Sequence, residues 1–214
     1  MQFAVILMNI LYVGFLPLKL KEKVTIISRQ SDTASIVVRL LQNELAERQI
    51  DTVVLTKRLH KNLYSGIKYG FHMLRQMYHI ATSKVVVLDG YCILISVLHK
   101  KKHQSVIQMW HALGAIKKFG YQTIGKPGGN QKAIAKVMRL HHNYDYVLAS
   151  SEETGQIYQK AFGVDAEKIR YMGLPRIDYL QKEDPEKAAV IYQKYPQLED
   201  RINVLYAPTF RKNT

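Results

Sequence analysis

The chain has 214 residues, 47% of them apolar and 22% charged, with 31 basic against 17 acidic side chains and a formal charge of +14. These proportions exclude the disordered and fibrous classes, and a chain of this length can bury a core without metal or disulfide staples. The single cysteine, Cys92, excludes an internal disulfide or a cysteine zinc site, and is expected as a small buried apolar side chain in a reducing compartment.

Residues 1–16 are almost wholly apolar, Pro17 breaks the run, and Lys19, Lys21 and Lys23 come after it. The run falls short of the about 20 apolar residues of a spanning helix, and it lacks the basic start and small-residue cleavage site of a signal peptide. Two readings stand: a segment lying in a membrane interface with its lysines at the headgroups, or a buried first helix. The first is preferred because of the basic helix downstream.

Beyond Lys23, short β-branched runs alternate with helical patterns. Strands are expected at 24–28, 52–56, 84–89, 105–110, 146–150 and 168–172, each a continuous apolar run of the kind a parallel sheet covered on both faces requires. Between the first two, Ser31 or Asp32 can cap a helix that lays Ile36, Val37, Leu40, Leu41 and Leu45 on the sheet. The turn Ser31-Asp32-Thr33 lacks the glycines of a dinucleotide fingerprint, so no nicotinamide or P-loop site is expected.

From Thr52 to Tyr144 the chain has fifteen Lys and Arg against one acid, Asp89, whereas the remainder has sixteen of each sign. A basic block in a neutral background calls for a polyanionic partner: nucleic acid, an acidic membrane surface or a phosphate-rich substrate; the plain alternative is a solvated face. Within it, the helical stretch 61–80 sets Tyr64, Ile67, Phe71, Leu74 and Tyr78 in one stripe, with Lys61, Lys68, Arg75, His72 and His79 beside it. That pattern suits an in-plane membrane helix and equally a crossover helix docked on the sheet. His60, His72, His79, His99, His103, His141 and His142 are read as surface or basic-face residues, and no metal site is expected from their spacing.

The strongest chemical signal comes at the end of the fourth strand: Gln108-Met109-Trp110-His111-Ala112-Leu113-Gly114-Ala115-Ile116-Lys117-Lys118. Ligands of open parallel sheets bind beyond the carboxyl ends of the strands, so His111, at the strand end, is placed to act; a structural histidine stacked on Trp110 is the alternative. Ala112, Gly114 and Ala115 allow close approach to an anion, a helix opening there would aim free N–H groups at a phosphate, and Lys117 and Lys118 add charge. Residues 125–130 read as a loop near the same crevice, a lid or a linker.

Three motifs in order, QMWHALGAIKKFGY (108–121), GLPRIDYL (173–180) and VLYAPTFR (204–211), with SRQSD at 28–32, resemble the CDP-glycerol glycerophosphotransferase family of teichoic-acid primases and polymerases. The resemblance implies an α/β fold: a Rossmann-like parallel sheet forming the first domain of a GT-B architecture, with the start of the second domain at the C-terminus. The expected organisation is a membrane-proximal segment at 1–23, the acceptor domain at 24–178, a helical connection at 179–201 and the first strand of a truncated donor domain at 202–214. The family's commoner form of the central motif is WHG followed by Thr-Pro, where this chain has Trp110-His111-Ala112-Leu113-Gly114, which leaves the base and bears on acceptor identity.

By that resemblance the chain is a phosphotransferase without cofactor or metal, peripheral on the cytoplasmic face of the cell membrane. A hydroxyl of a lipid-linked glycerol-phosphate acceptor would attack the β-phosphorus of a CDP-alcohol, CDP-glycerol first, and release CMP, with donor contacts in a C-terminal domain this sequence lacks. His111 would be the base. Trp110, Gly114, Lys117, Lys118, Arg176, Thr209 and Arg211 would bind substrate, since phosphoryl transfer rests on positioning and charge; for Arg176 and Asp178 the plain alternative is an ion pair. The rivals are a basic nucleic-acid-binding module, which explains the charge and not the motifs, and a non-catalytic membrane-associated fragment.

Overall fold

A computed structural model describes residues 2–59, 62–112, 117–182 and 184–206. The chain divides into two units, Met1–Ile177 and Asp178–Thr214. The first is built on six strands: β1 (Lys21–Ser28), β2 (Asp51–Thr56), β3 (Ser83–Leu88), β4 (Ser105–Gln108), β5 (Tyr146–Ala149) and β6 (Ile169–Tyr171). Its helices are α1 (Gln2–Val13), α2 (Ile36–Glu47), α3 (Leu63–Thr82), α4 (Ile93–Val97), α5 (Lys132–Val137) and α6 (Glu152–Phe162).

All the ladders are parallel, in the order β2-β1-β3-β4-β5-β6. The six expected strands are all present, as is the α/β class. Their continuous apolar runs are explained by burial on both faces: Ile26, Val86, Leu88, Val106 and Val147 are all at or near zero exposure. Each such side chain stabilises by roughly 1.5–3 kcal/mol relative to an exposed one. Cys92 is buried and free. One boundary differs: β4 ends at Gln108, two residues before the expected end, because the Gln108 side chain takes over from the ladder there.

The chain runs from β1 outward to β2 and returns to lay β3 on the other side of β1, so strand order reverses between β1 and β3. Ligands of open α/β sheets bind in the crevice at such a reversal.

Helix α2 is capped by Ser35, whose hydroxyl accepts from the Val38 amide, and not by Ser31 or Asp32. It buries Val37 and Val38 against Val24, Ile26 and Val87. Helix α3 settles the direction of its stripes. Tyr69, Met77, Ile80 and Ala81 face inward, while Tyr64, Ile67, Phe71, Leu74 and Tyr78 face out, with Phe71 71% exposed. The apolar stripe is therefore not the side docked on the sheet. Helix α1 sits between its two sequence readings: Met8 and Tyr12 join the core, while Phe3, Ile6, Leu7, Ile10 and Leu11 stay exposed. Among the described residues no helix is long and apolar enough to cross a membrane.

At the boundary of the units, α7 (Pro175–Gln181) begins within the GLPRID motif. The second unit contains α8 (Pro185–Lys194), with the Asp184 carboxylate accepting from the Lys187 amide at 3.0 Å as its cap. After it, residues 202–206 form no ladder among the described residues and expose Ile202, Val204, Leu205 and Tyr206 almost fully.

Candidate functional site

The carboxyl ends of β1, β3 and β4 lie side by side, and each strand leads into a short polar segment: Arg29 and Gln30 after β1, Asp89 and Gly90 after β3, Trp110 and His111 after β4. Gln108, fully buried, organises this edge. Its Nε2 donates to the Gly90 carbonyl at 3.1 Å and its Oε1 accepts from the Trp110 amide at 2.9 Å. The Met109 amide still reaches the Leu88 carbonyl at 2.7 Å. Trp110 then adopts φ +55°, a left-handed conformation that a bulky residue holds only when its surroundings fix it. That turn lifts His111 out of the sheet, so it stands three residues past the strand rather than at its last position.

Two contacts orient the imidazole. One face stacks on Trp110, with centroids 4.4 Å apart, and Trp110 stacks in turn on Phe119 at 4.9 Å. His111 Nδ1 lies 2.7 Å from the Asp89 carbonyl oxygen, which can only accept, so Nδ1 carries the proton. The Gln30 amide nitrogen is at 3.3 Å from the same atom, a longer contact. The Nε2 lone pair is left on an exposed ring, with no hydrogen-bond partner among the described residues. A neutral imidazole held this way can accept a proton at Nε2 while the Asp89 carbonyl keeps hold of Nδ1–H. The ring is stacked on Trp110 on one face and exposed at its Nε2 edge.

Asp89 is the residue that sequence reasoning passed over. Its side chain is 3% exposed, and its Oδ1 is buried with no hydrogen-bond partner among the described residues. Burial pushes this carboxyl above the usual carboxylate range, opposed by a hydrogen bond from the Ser28 hydroxyl and by the nearby His111. The available signal was its position, as the one acid of the basic block, directly after a central strand.

The other expected residues are less tightly gathered. Lys117 and Lys118 are exposed, and among the described residues no helix begins between His111 and Phe119. Arg176 stands in the first turn of α7 with its Nε buried and unpaired among the described residues. Gly114, Thr209 and Arg211 lie outside the described residues, as do His60 and Lys61. The 125–130 loop is closed on itself, Gly125 N to the Asn130 carbonyl at 2.9 Å. A Cβ on Gly129 would fall 1.9 Å from the Thr123 carbonyl oxygen, so only glycine fits that turn.

His141 corrects the surface reading. It is 5% exposed, with its Nδ1 at 3.1 Å from the Tyr144 hydroxyl and its ring 4.7 Å from Phe162. Burial pushes its pKa down to about 4. His141 belongs to the aromatic bed of Phe119, Tyr144, Tyr158 and Phe162 beneath Trp110, which makes it a neutral core residue. Among the described residues no group of three or more His, Cys, Asp or Glu could hold a metal ion.

Comparison with known proteins gives the same direction throughout. A family model described as CDP-Glycerol:Poly(glycerophosphate) glycerophosphotransferase matches residues 11–214. The teichoic acid ribitol-phosphate primase of Bacillus spizizenii is 34% identical over 193 residues, covering 89% of this chain and 50% of that protein. The teichoic acid glycerol-phosphate primase of Bacillus subtilis is 33% identical over 144 residues, covering 67% of this chain and 37% of that one. A structure of the wall teichoic acid polymerase TagF soaked with CDPG superposes with a TM-score of 0.68 at 18% identity, over 98% of this chain and 58% of TagF. The chain thus spans half or less of the length of these curated relatives, and the structural likeness speaks for the fold.

Proposed function

The chain belongs to the CDP-glycerol:poly(glycerophosphate) glycerophosphotransferase family, and from that premise we propose that it forms the acceptor side of a polyol-phosphate transferase of teichoic-acid synthesis, with His111 as its general base. A hydroxyl of a lipid-linked acceptor ending in glycerol phosphate loses its proton to His111 Nε2 as its oxygen attacks the β-phosphorus of CDP-glycerol. A new P–O bond forms, the bond from that phosphorus to the bridging oxygen breaks, and CMP leaves. Trp110 lines the crevice beside the base and Lys117, Lys118 and Arg176 offset the negative charge, while Gly114, Thr209 and Arg211 are substrate-binding residues on the family resemblance alone. Donor contacts fall to the half of the relatives that this chain does not span, completing a GT-B pair of domains.

The observation that carries the base assignment is the Nδ1–H to Asp89 carbonyl bond, which leaves Nε2 without a hydrogen-bond partner among the described residues beside the strand-order reversal. The exposed apolar faces of α1 and α3 beside Lys68 and Arg75 support a peripheral seat on an anionic membrane surface at the cytoplasmic face, each cation contributing on the order of 1 kcal/mol.

The test is transfer of labelled glycerol phosphate or ribitol phosphate from the CDP-alcohol to a lipid-linked acceptor by the protein carrying this chain. Transfer from CDP-glycerol that depends on His111 is expected. Transfer from CDP-ribitol alone would correct the donor, and undiminished turnover by His111→Ala would remove the base assignment.

A further inference from the structure

Between α1 and α3 runs a groove of about 660 Å³, lined by Leu7, Leu11, Ile67, Leu74 and Met77 and almost entirely apolar. Among the described residues one ionised side chain lines it, Arg29. Arg29 lies over the Tyr69 ring at 5.8 Å from the centroid, its Nε is buried without a hydrogen-bond partner, and no carboxylate among the described residues pairs with it. A half-buried guanidinium lacking a counter-ion at one end of an apolar groove matches an amphiphile with one anionic oxygen group and a hydrocarbon chain.

The groove also meets the catalytic edge. Arg29 directly follows Ser28, the last residue of β1; the Ser28 hydroxyl meets Asp89, and the Asp89 carbonyl holds His111. Along the groove wall, α3 carries Gly70 in its interior, where glycine disfavours a helix relative to alanine. A Cβ there would meet nothing within 4 Å, so the missing side chain leaves the groove open without relieving any clash.

We infer that this groove binds the lipid end of the acceptor, a hydrocarbon chain lying between α1 and α3 with its anionic oxygen group on Arg29. The inference rests on the acceptor-side reading above and names where the lipid goes. Charge complementarity favours this occupant over a purely neutral lipid, because a neutral chain would leave the guanidinium, which shares a hydrogen bond with the Tyr69 side chain, without a counter-ion.

The experiment titrates the whole chain with farnesyl phosphate below its micelle concentration, with farnesol and inorganic phosphate as separate probes. Saturable one-site binding of farnesyl phosphate is expected, at least tenfold weaker in Arg29→Gln and lost in Gly70→Leu, whose side chain fills the groove. Farnesol should bind weakly and equally to wild type and Arg29→Gln, and inorganic phosphate should not saturate. Gly70→Leu favours the helix, so its unfolding midpoint should not fall, which keeps the result readable should Arg29→Gln prove unstable. Binding of farnesyl phosphate within twofold of wild type in either variant overturns the inference, and so does uptake that rises linearly without saturation, the mark of adsorption like that to a bilayer. His111→Ala should bind the probe as wild type does. The groove can therefore fail while the base assignment stands, and the reverse.

Discussion

The carboxyl edge of the sheet and the α1/α3 flank hold their side chains in opposite ways. At the edge, side-chain amides and backbone carbonyls are tied to one another: Gln108 to Gly90 and Trp110, His111 to Asp89. On the flank, Phe3, Ile10, Tyr64 and Phe71 stand in the open. Polar groups held by backbone partners have fixed directions, which is what chemistry on a reacting oxygen requires. Exposed apolar side chains have no direction to keep, and suit an apolar environment supplied from outside. Substitutions at the edge should therefore cost turnover or stability, whereas those on the flank should leave the fold alone.

The largest effect is expected at His111. His111→Ala should lower kcat by about 10²–10⁴-fold, the usual contribution of a general base. The ring is exposed but stacks on Trp110 and donates to the Asp89 carbonyl, so stability should fall only modestly, by about 1–2 kcal/mol, a Tm shift of about 2–6 °C. Steady-state kinetics and a thermal melt on the same sample check both halves, and a large fall in Tm with kcat preserved would make His111 scaffold.

Next comes Gln108→Leu, which keeps the volume and removes both hydrogen bonds. It leaves the Gly90 carbonyl and the Trp110 amide unpaired, and the buried location makes the cost roughly 2–4 kcal/mol, with Tm lower by about 5–10 °C. Because Gln108 also fixes the turn under His111, turnover should fall even at temperatures where the variant is fully folded. A stable variant with normal kcat would show that Trp110 holds its φ by stacking alone.

These two residues show how far the sequence could be read. The six strands were legible because a doubly covered parallel sheet demands unbroken apolar runs, and His111 because it comes soon after one of them. Gln108 was not, since a glutamine inside a strand carries no pattern that tells a ladder substitute from a surface residue. Asp89 was visible only as a charge count, and Arg29 only as a letter in a motif. The α3 stripe shows a different limit. Periodicity reports that a helix has two faces, but apolar residues occupy both here, and only packing decides which one meets the sheet. His141 was misread because Arg139 and His142 beside it gave it the look of a basic face.

His141 offers a smaller and opposite test, under the same tryptophan that carries His111. Its folded pKa of about 4 lies below the ordinary value near 6.5, so between those pH values the unfolded chain binds more protons than the native one. Stability therefore falls as pH drops through that window, by about 1.5 kcal/mol between pH 6.5 and pH 5 from this residue. His141→Asn does not titrate and tolerates the φ of +58° found here. It should be less stable at pH 7 through lost packing, with a shallower decline toward pH 5 than wild type. Urea melts at several pH values give the difference in slope, and parallel curves for the two proteins would place the proton elsewhere.

The smallest effect on stability is expected on the flank. Phe71 is 71% exposed in the middle of α3, so Phe71→Ser removes little buried area. Only the modest helix-propensity difference remains, and ΔG should move by about 0.5 kcal/mol or less. Sedimentation with vesicles containing anionic lipid should tell a different story. Burial of this ring in an interface would be lost, while the attraction of Lys68 and Arg75 to the headgroups would stay, weakening as salt rises. Phe71→Ser should thus bind more weakly than wild type at every salt concentration, with the same salt dependence, and Lys68→Gln should bind more weakly with a reduced one. If Phe71→Ser lowers Tm by several degrees, or binds vesicles as wild type does, the outward stripe of α3 is packed against protein and the contrast between edge and flank fails at this residue.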